Sequence, residues 1–315
     1  MTTERRSHPR VLIFGAALCV LLVSIAAIAI YGDRPAGPST DSWVYLAAGE
    51  RLNDGHPLYA LGPGDRPVAL MPPYWSVPLL SPPPIAVLWR PLALLGELGM
   101  YLWWGACVVA SGWLLVRMLR VARPVELPLV AAVAPFVAVN GWSGNANALL
   151  IPLLVLTFSS QVGCAIAAGT ATKLSPSVYL AWLAGARRAQ LLPAVLAGAL
   201  IGVVSIAGAG LDSWTSWVHA LSSSVPSPQS LAAALQLSPT LVAAFCAAAT
   251  LVGSLALRSW PRAAFAFASV MVVVATPALY AQGFALLAAR GQERNARLPR
   301  SVVAAQNAAT SVGES

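Results

Sequence analysis

Residues 11–31 form an unbroken apolar run behind a polar, basic decapeptide, MTTERRSHPR. That length suits an α-helix crossing a hydrocarbon core, which takes about 20 residues. A cleaved signal peptide is the rival reading, with Ala27 and Ala29 as the small residues. Signal cores are shorter, however, and further apolar runs follow this one, so an uncleaved first span is expected. The basic flank predicts that residues 1–10 are cytoplasmic. The apolar pattern then breaks over residues 32–80, which hold Asp33, Arg34, Asp41, Glu50, Arg51, Asp54, Asp65, Arg66 and many prolines. This is the expected first, large extracytoplasmic loop. Within it, DSWVYLAAGERL (41–52) reads as a short helix, with Asp41 near its start and Gly55 beyond its end.

Residues 81–96 are apolar but broken by prolines, with Arg90 in the middle. They are expected to enter the membrane without crossing it, because arginine at mid-bilayer is costly. Residues 99–119 form a span ending in Arg117, Arg120 and Arg123; 125–140 return outward to NGWSGNAN (140–147), and 148–160 go back in. Two short runs, 161–172 and 175–186, flank Lys173-Leu174-Ser175-Pro176. Each would reach about 18 Å at helical rise, so they predict a helix pair whose turn lies at membrane depth near the outer face. Broken backbone is tolerated there where it lines a cavity. Residues 190–210 exit to a second outer loop (211–230), 238–257 return to Arg258 and Arg262, and 263–289 form a pair broken at Thr276-Pro277. The whole predicts an all-α, multi-pass transmembrane bundle of about ten segments over residues 11–289. Residues 290–315 are expected to be a cytoplasmic, disordered tail.

Composition agrees with that pattern. The chain is 58% hydrophobic and 10% charged, with a mean hydropathy of +0.72, where a soluble domain carries about 25% charged residues. The net charge of +8 lies in short arginine clusters between apolar runs, not in a basic stripe interleaved with aromatics. Nucleic acid is therefore excluded as a partner. On the crossings drawn above, every arginine cluster falls on the cytoplasmic side, while Asp41, Asn145, Asn147, Lys173, Asp212 and Thr276 fall outside. A path chosen for hydropathy thus satisfies the positive-inside rule. The expected location is the plasma membrane. The four cysteines sit in apolar runs without CxxC or CxxxH spacing, which indicates neither zinc nor a disulfide framework. No HExxH, Walker loop, GxSxG or dinucleotide fingerprint is present, so neither a metal nor a cofactor is expected.

Few residues remain to carry chemistry. Asp41, at the mouth of the bundle, could act as a general base toward a hydroxyl or simply cap its helix. Lys173 is the only lysine and stands where two apolar runs meet; it could face a lipid-linked phosphate or snorkel to headgroups. Asn145 and Asn147 could hydrogen-bond sugar hydroxyls or cap the following helix. Tyr45, Tyr59 and His219 are further substrate-binding candidates in the outer segments. The tryptophans, Trp103 and Trp104 among them, mostly suit an interfacial belt.

The stretches DSWVYLAAGERLNDGHPLY (41–59), SPPPIAVLWRPLALL (81–95), GNANALLIPLLVL (144–156) and AAGTATKLSPSVYLAWL (167–183), with weaker SPQSLAAAL (227–235) and ATPALY (275–280), resemble glycosyltransferase family 87 of the GT-C superfamily. They occur in the family's order over most of residues 10–290. The resemblance implies a membrane mannosyltransferase that uses a polyprenyl-phosphate sugar donor and a glycolipid or glycan acceptor. It implies that Asp41 is the catalytic base of an inverting displacement and that Lys173 faces the donor phosphate. Two other classes stay open: a transporter or flippase of a lipid-linked substrate, suited to broken helices, and a non-catalytic envelope-assembly subunit.

Overall fold

The computed structural model describes residues 40–59, 70–71, 75–76, 79, 81–122, 124–158, 160–223 and 230–276. The expected first span (11–31), most of the 60–80 loop, the second half of the 263–289 pair and the tail lie outside the described residues. Twelve α-helices are present among those described. They are α1 (Thr40–Asn53), α2 (Pro83–Ala93), α3 (Glu97–Val121), α4 (Leu127–Ser143), α5 (Asn147–Thr157), α6 (Val162–Thr172), α7 (Val178–Ala186), α8 (Leu191–Ala209), α9 (Leu211–Ser223), α10 (Leu231–Ala234), α11 (Pro239–Ala256) and α12 (Pro261–Val274). Short 3-10 helices stand at Pro124–Glu126, Ser175–Ser177 and Arg188–Gln190, and two two-residue strands, β1 (Leu70–Met71) and β2 (Trp75–Ser76), pair antiparallel, Leu70 with Ser76 and Met71 with Trp75.

Among the described residues, three helices are long and apolar enough to cross a membrane: Glu97–Arg120, Arg188–Ala209 and Pro239–Ala256. Their outward faces are apolar, with Val109 72%, Leu200 65% and Phe245 68% exposed. Apolar area on that scale is foreign to a water-soluble monomer and is what a lipid-facing surface needs. α4, α5 and α6 are also apolar but shorter. The described residues therefore give fewer full-length crossings than the ten segments expected, because prolines and glycines divide the apolar runs. Pro135 and Pro152 lie inside α4 and α5. Gly144 takes φ 69° between them, a left-handed conformation that closes α4.

The expected second outer loop is instead largely helical. Leu211, Trp214, Val218 and Leu221 recur at helical spacing, Asp212 stands in the first turn, and the segment forms α9. That period outweighs the many serines. Ser230 then caps α10 by accepting from the Ala233 N–H at 3.2 Å.

Two buried clusters organise the molecule. The larger joins α3 to α8 with α10, α11 and α12; at its centre Tyr179, Trp182, Phe158 and Phe265 pack with ring centroids 4.9–6.5 Å apart. Arg187 stacks on Phe158, 4.9 Å from the ring centre, and a Cβ on Gly185 would meet Ser254. The arginine-bearing ends of α7 and α11 thus share one end of the bundle with the C-terminus of α5. The smaller cluster joins α1 and α2 with Leu58, Leu79, Met100, Ala146 and Leu150. It lies at the other end of α5, where the unusual polar residues are.

Candidate functional site

α1 is held against α2 at backbone distance. A Cβ on Gly49 would come 2.8 Å from the Trp89 carbonyl oxygen, so only glycine allows this approach. Tyr45, Trp89 and Trp103 pack around the contact with centroids 5.2–6.1 Å apart, contributing about 0.5–1.5 kcal/mol per pair beyond their burial. Trp103 Nε1 donates to the Gly144 carbonyl at 2.8 Å. Trp103 therefore forms part of the site wall, and Trp104 donates to the Trp142 carbonyl.

The turn between α4 and α5 is the second wall. The Gly144 and Asn145 N–H groups return to the carbonyls of Gly141 and Asn140 at 3.2 and 3.0 Å, the pattern of a Schellman closure. Any side chain at Gly144 would collide with the Ser42 hydroxyl, so the GNAN turn sits directly on the start of α1. There, Asn145 Nδ2 donates to Asp41 Oδ2 at 2.9 Å, and Asn145 Oδ1 accepts from the Asn147 N–H at 3.0 Å. Asp41 stands in the first turn of α1, but its carboxylate also reaches 104 residues along the chain.

Lys173 closes the group. α6 ends at Thr172, and Lys173 is extended, φ −149° and ψ 134°. Pro176 helps to stop α6: it has no N–H to donate to the Thr172 carbonyl and its ring would clash there in a continued helix, and it is itself buried against Gly169. Lys173 is half-buried, outside the three spanning helices. Burial lowers its ammonium below the ordinary lysine range, and the Asp41 carboxylate acts in the opposite direction. Those two charges therefore lie within electrostatic reach of each other. Among the described residues, none accepts a hydrogen bond from the ammonium.

Asp41, Asn145 and Asn147 are thus joined by hydrogen bonds, Tyr45 packs beside them through Trp103, and Lys173 is linked to Asp41 by charge alone. Tyr45 is 4% exposed; burial and then the Asp41 charge hold its phenol well above the usual tyrosine range, so it stays neutral. Tyr59 forms the same wall, donating to the Ser81 carbonyl at 2.6 Å. His219 is exposed on α9, a helix that packs on α8 and α2. Residues that sequence reasoning passed over are Ser42, Trp103, Gly144 and Cys107, whose thiol lies 3.7 Å from the Asn145 carbonyl. The signal was the i, i+4 spacing of Trp103 and Cys107 on one face of α3. No group of three or more His, Cys, Asp or Glu able to hold a metal occurs among the described residues.

Chemically, a carboxylate can accept a proton from a hydroxyl and an ammonium can offset a negative charge. Residues 80–235 match the sequence model of glycosyltransferase family 87. The chain carries a family 87 domain. It is a membrane glycosyltransferase, which removes the transporter and assembly-subunit readings. The family 87 match includes Asn145, Asn147, Lys173 and His219, whereas Asp41 lies N-terminal to it. No curated protein and no solved structure matches the chain.

Proposed function

We propose that this glycosyltransferase moves a sugar, mannose, from a polyprenyl-phosphate donor to a glycolipid or glycan acceptor on the extracytoplasmic face of the plasma membrane. The observation that carries the reading is the Asp41 carboxylate, a potential base, held at 2.9 Å by Asn145 of the α4–α5 turn, with the Lys173 ammonium as the cation that feels its charge. In the proposed step the acceptor oxygen attacks the anomeric carbon and its proton passes to the Asp41 carboxylate. The bond from that carbon to the phosphate oxygen breaks, and the lipid phosphate leaves with the electron pair. Lys173 faces the phosphate and offsets its charge. Asn147, 3% exposed and with no side-chain partner among the described residues, is the candidate donor or acceptor for a sugar hydroxyl. Attack opposite the leaving group inverts the anomeric centre, and one base is enough for it.

In the same reading the end bearing Arg187, Arg188 and Arg258 faces the cytoplasm. The shorter apolar helices complete broken passages through the bilayer, within a total of about ten segments. The test is transfer from polyprenyl-phosphate-mannose in membranes carrying wild type, Asp41→Asn or Lys173→Ala. The expected result is loss of about a hundredfold or more in kcat for Asp41→Asn, the scale of a general base. Full activity of Asp41→Asn would sink the catalytic assignment.

A further inference from the structure

We infer that Asn145 is a positioning residue: its carboxamide fixes the plane of the Asp41 carboxylate instead of binding substrate. The inference rests on Asp41 being the base. Both ends of the carboxamide are already engaged, and their chemistry assigns its orientation. The Asn147 N–H can only donate, so the group that meets it at 3.0 Å is Oδ1. The group facing Asp41 Oδ2 at 2.9 Å is then the NH2, a donor to a carboxylate.

The support behind Asn145 is rigid. The residue is 3% exposed. Its N–H is held by the Asn140 carbonyl at 3.0 Å, and its own carbonyl lies over the Cys107 thiol. The carbonyl before it accepts from Trp103. A carboxylate in the first turn of a helix turns about two side-chain bonds. A base that pivots presents its lone pair to the acceptor for only part of the time, and misplacement by about 1 Å can cost a hundredfold in rate. Asn145 removes that freedom. Asn147 lacks such anchors on its side chain, so the two neighbouring asparagines have different tasks.

The experiment compares Asn145→Ser and Asn145→Asp in the full chain, in membranes, with polyprenyl-phosphate-mannose as donor. Both replacements keep an oxygen able to accept from the Asn147 N–H, so a residue that only capped α5 would tolerate them. Neither can donate to Asp41 as the carboxamide does, and the aspartate replacement would add a like charge beside it. The expected result is a kcat lowered about tenfold to a hundredfold in Asn145→Ser and further in Asn145→Asp, with KM for the donor unchanged. Protease resistance of each variant in the membrane, compared with wild type, separates this from misfolding. Near-wild-type kcat in either well-folded variant, or a rise in KM with kcat retained, overturns the positioning role. If Asp41→Asn is inactive at the same time, the base assignment survives that failure. If Asp41→Asn is fully active, both fall together.

Discussion

Lys173 carries a cost that the proposed role would explain. Burial lowers its ammonium below the ordinary value of 10.5, so the folded protein binds that proton less readily than the unfolded chain does. Between the lowered value and 10.5 the unfolded state holds more protons, and stability rises with pH through that window. Below it the penalty is present in full. Lys173→Met should therefore raise the melting temperature at neutral pH, with the gain shrinking toward pH 10.5. It should also raise KM for the lipid donor by about tenfold or more; thermal unfolding and donor titration check the two halves. Gly144 gives a second residue-scale prediction. Gly144→Ala adds left-handed strain of about 1–2 kcal/mol and pushes on Ser42. It should lower protease resistance and transfer together, whereas Gly112→Ala, with open space at its Cβ, should leave both unchanged. Asp41 and Lys173 were legible in the sequence because each is locally anomalous, an acid at a helix start and the sole lysine. The Asn145 bond to Asp41 was not, since no local pattern announces a contact across 104 residues.

Among the elements, α2 shows how a proline-broken helix accommodates arginine. Arg90 Nε donates to Asn53 Oδ1 at 3.0 Å, and another guanidinium nitrogen donates to the Gly208 carbonyl at 2.9 Å. Asn53 Nδ2 returns a bond to the Arg90 carbonyl. The guanidinium thus ties the end of α1 and the C-terminus of α8, where the helix dipole favours a cation. Lysine lacks the fork that spans both acceptors. Arg90→Lys should cost about 1–3 kcal/mol of stability, measured by thermal unfolding in detergent, with KM for the donor unaffected. Helix positions were largely legible from apolar period: the expected helix at 41–52 and spans at 99–119, 190–210 and 238–257 fall on α1, α3, α8 and α11. The helix over 211–223 within the expected outer loop was not foreseen, because serine-rich composition masked the Leu211, Trp214, Val218 and Leu221 stripe. Arg90 was read as a barrier to crossing, and its partners on α1 and α8 could not be seen without the tertiary arrangement.

On the scale of the whole molecule, the polar group and the arginine-bearing ends occupy opposite ends of α5. In a chain with its four cysteines replaced, Asp54→Cys should react with an impermeant maleimide applied to intact cells. Arg258→Cys should react only after permeabilisation. The reverse pattern would overturn the proposed orientation.

The bond between Asp41 and Asn145 also bears on how the protein is made. At a synthesis rate of about 5–20 residues per second, the ribosome needs roughly 5–20 s to travel from one residue to the other, and longer to reach Lys173. In the proposed orientation the nascent α1 waits through that interval across the bilayer without its partner turn, its carboxylate bathed in solvent. A chain stalled or truncated before the α4–α5 turn would be inserted yet unable to transfer sugar, so activity should appear in a translation time course later than membrane integration.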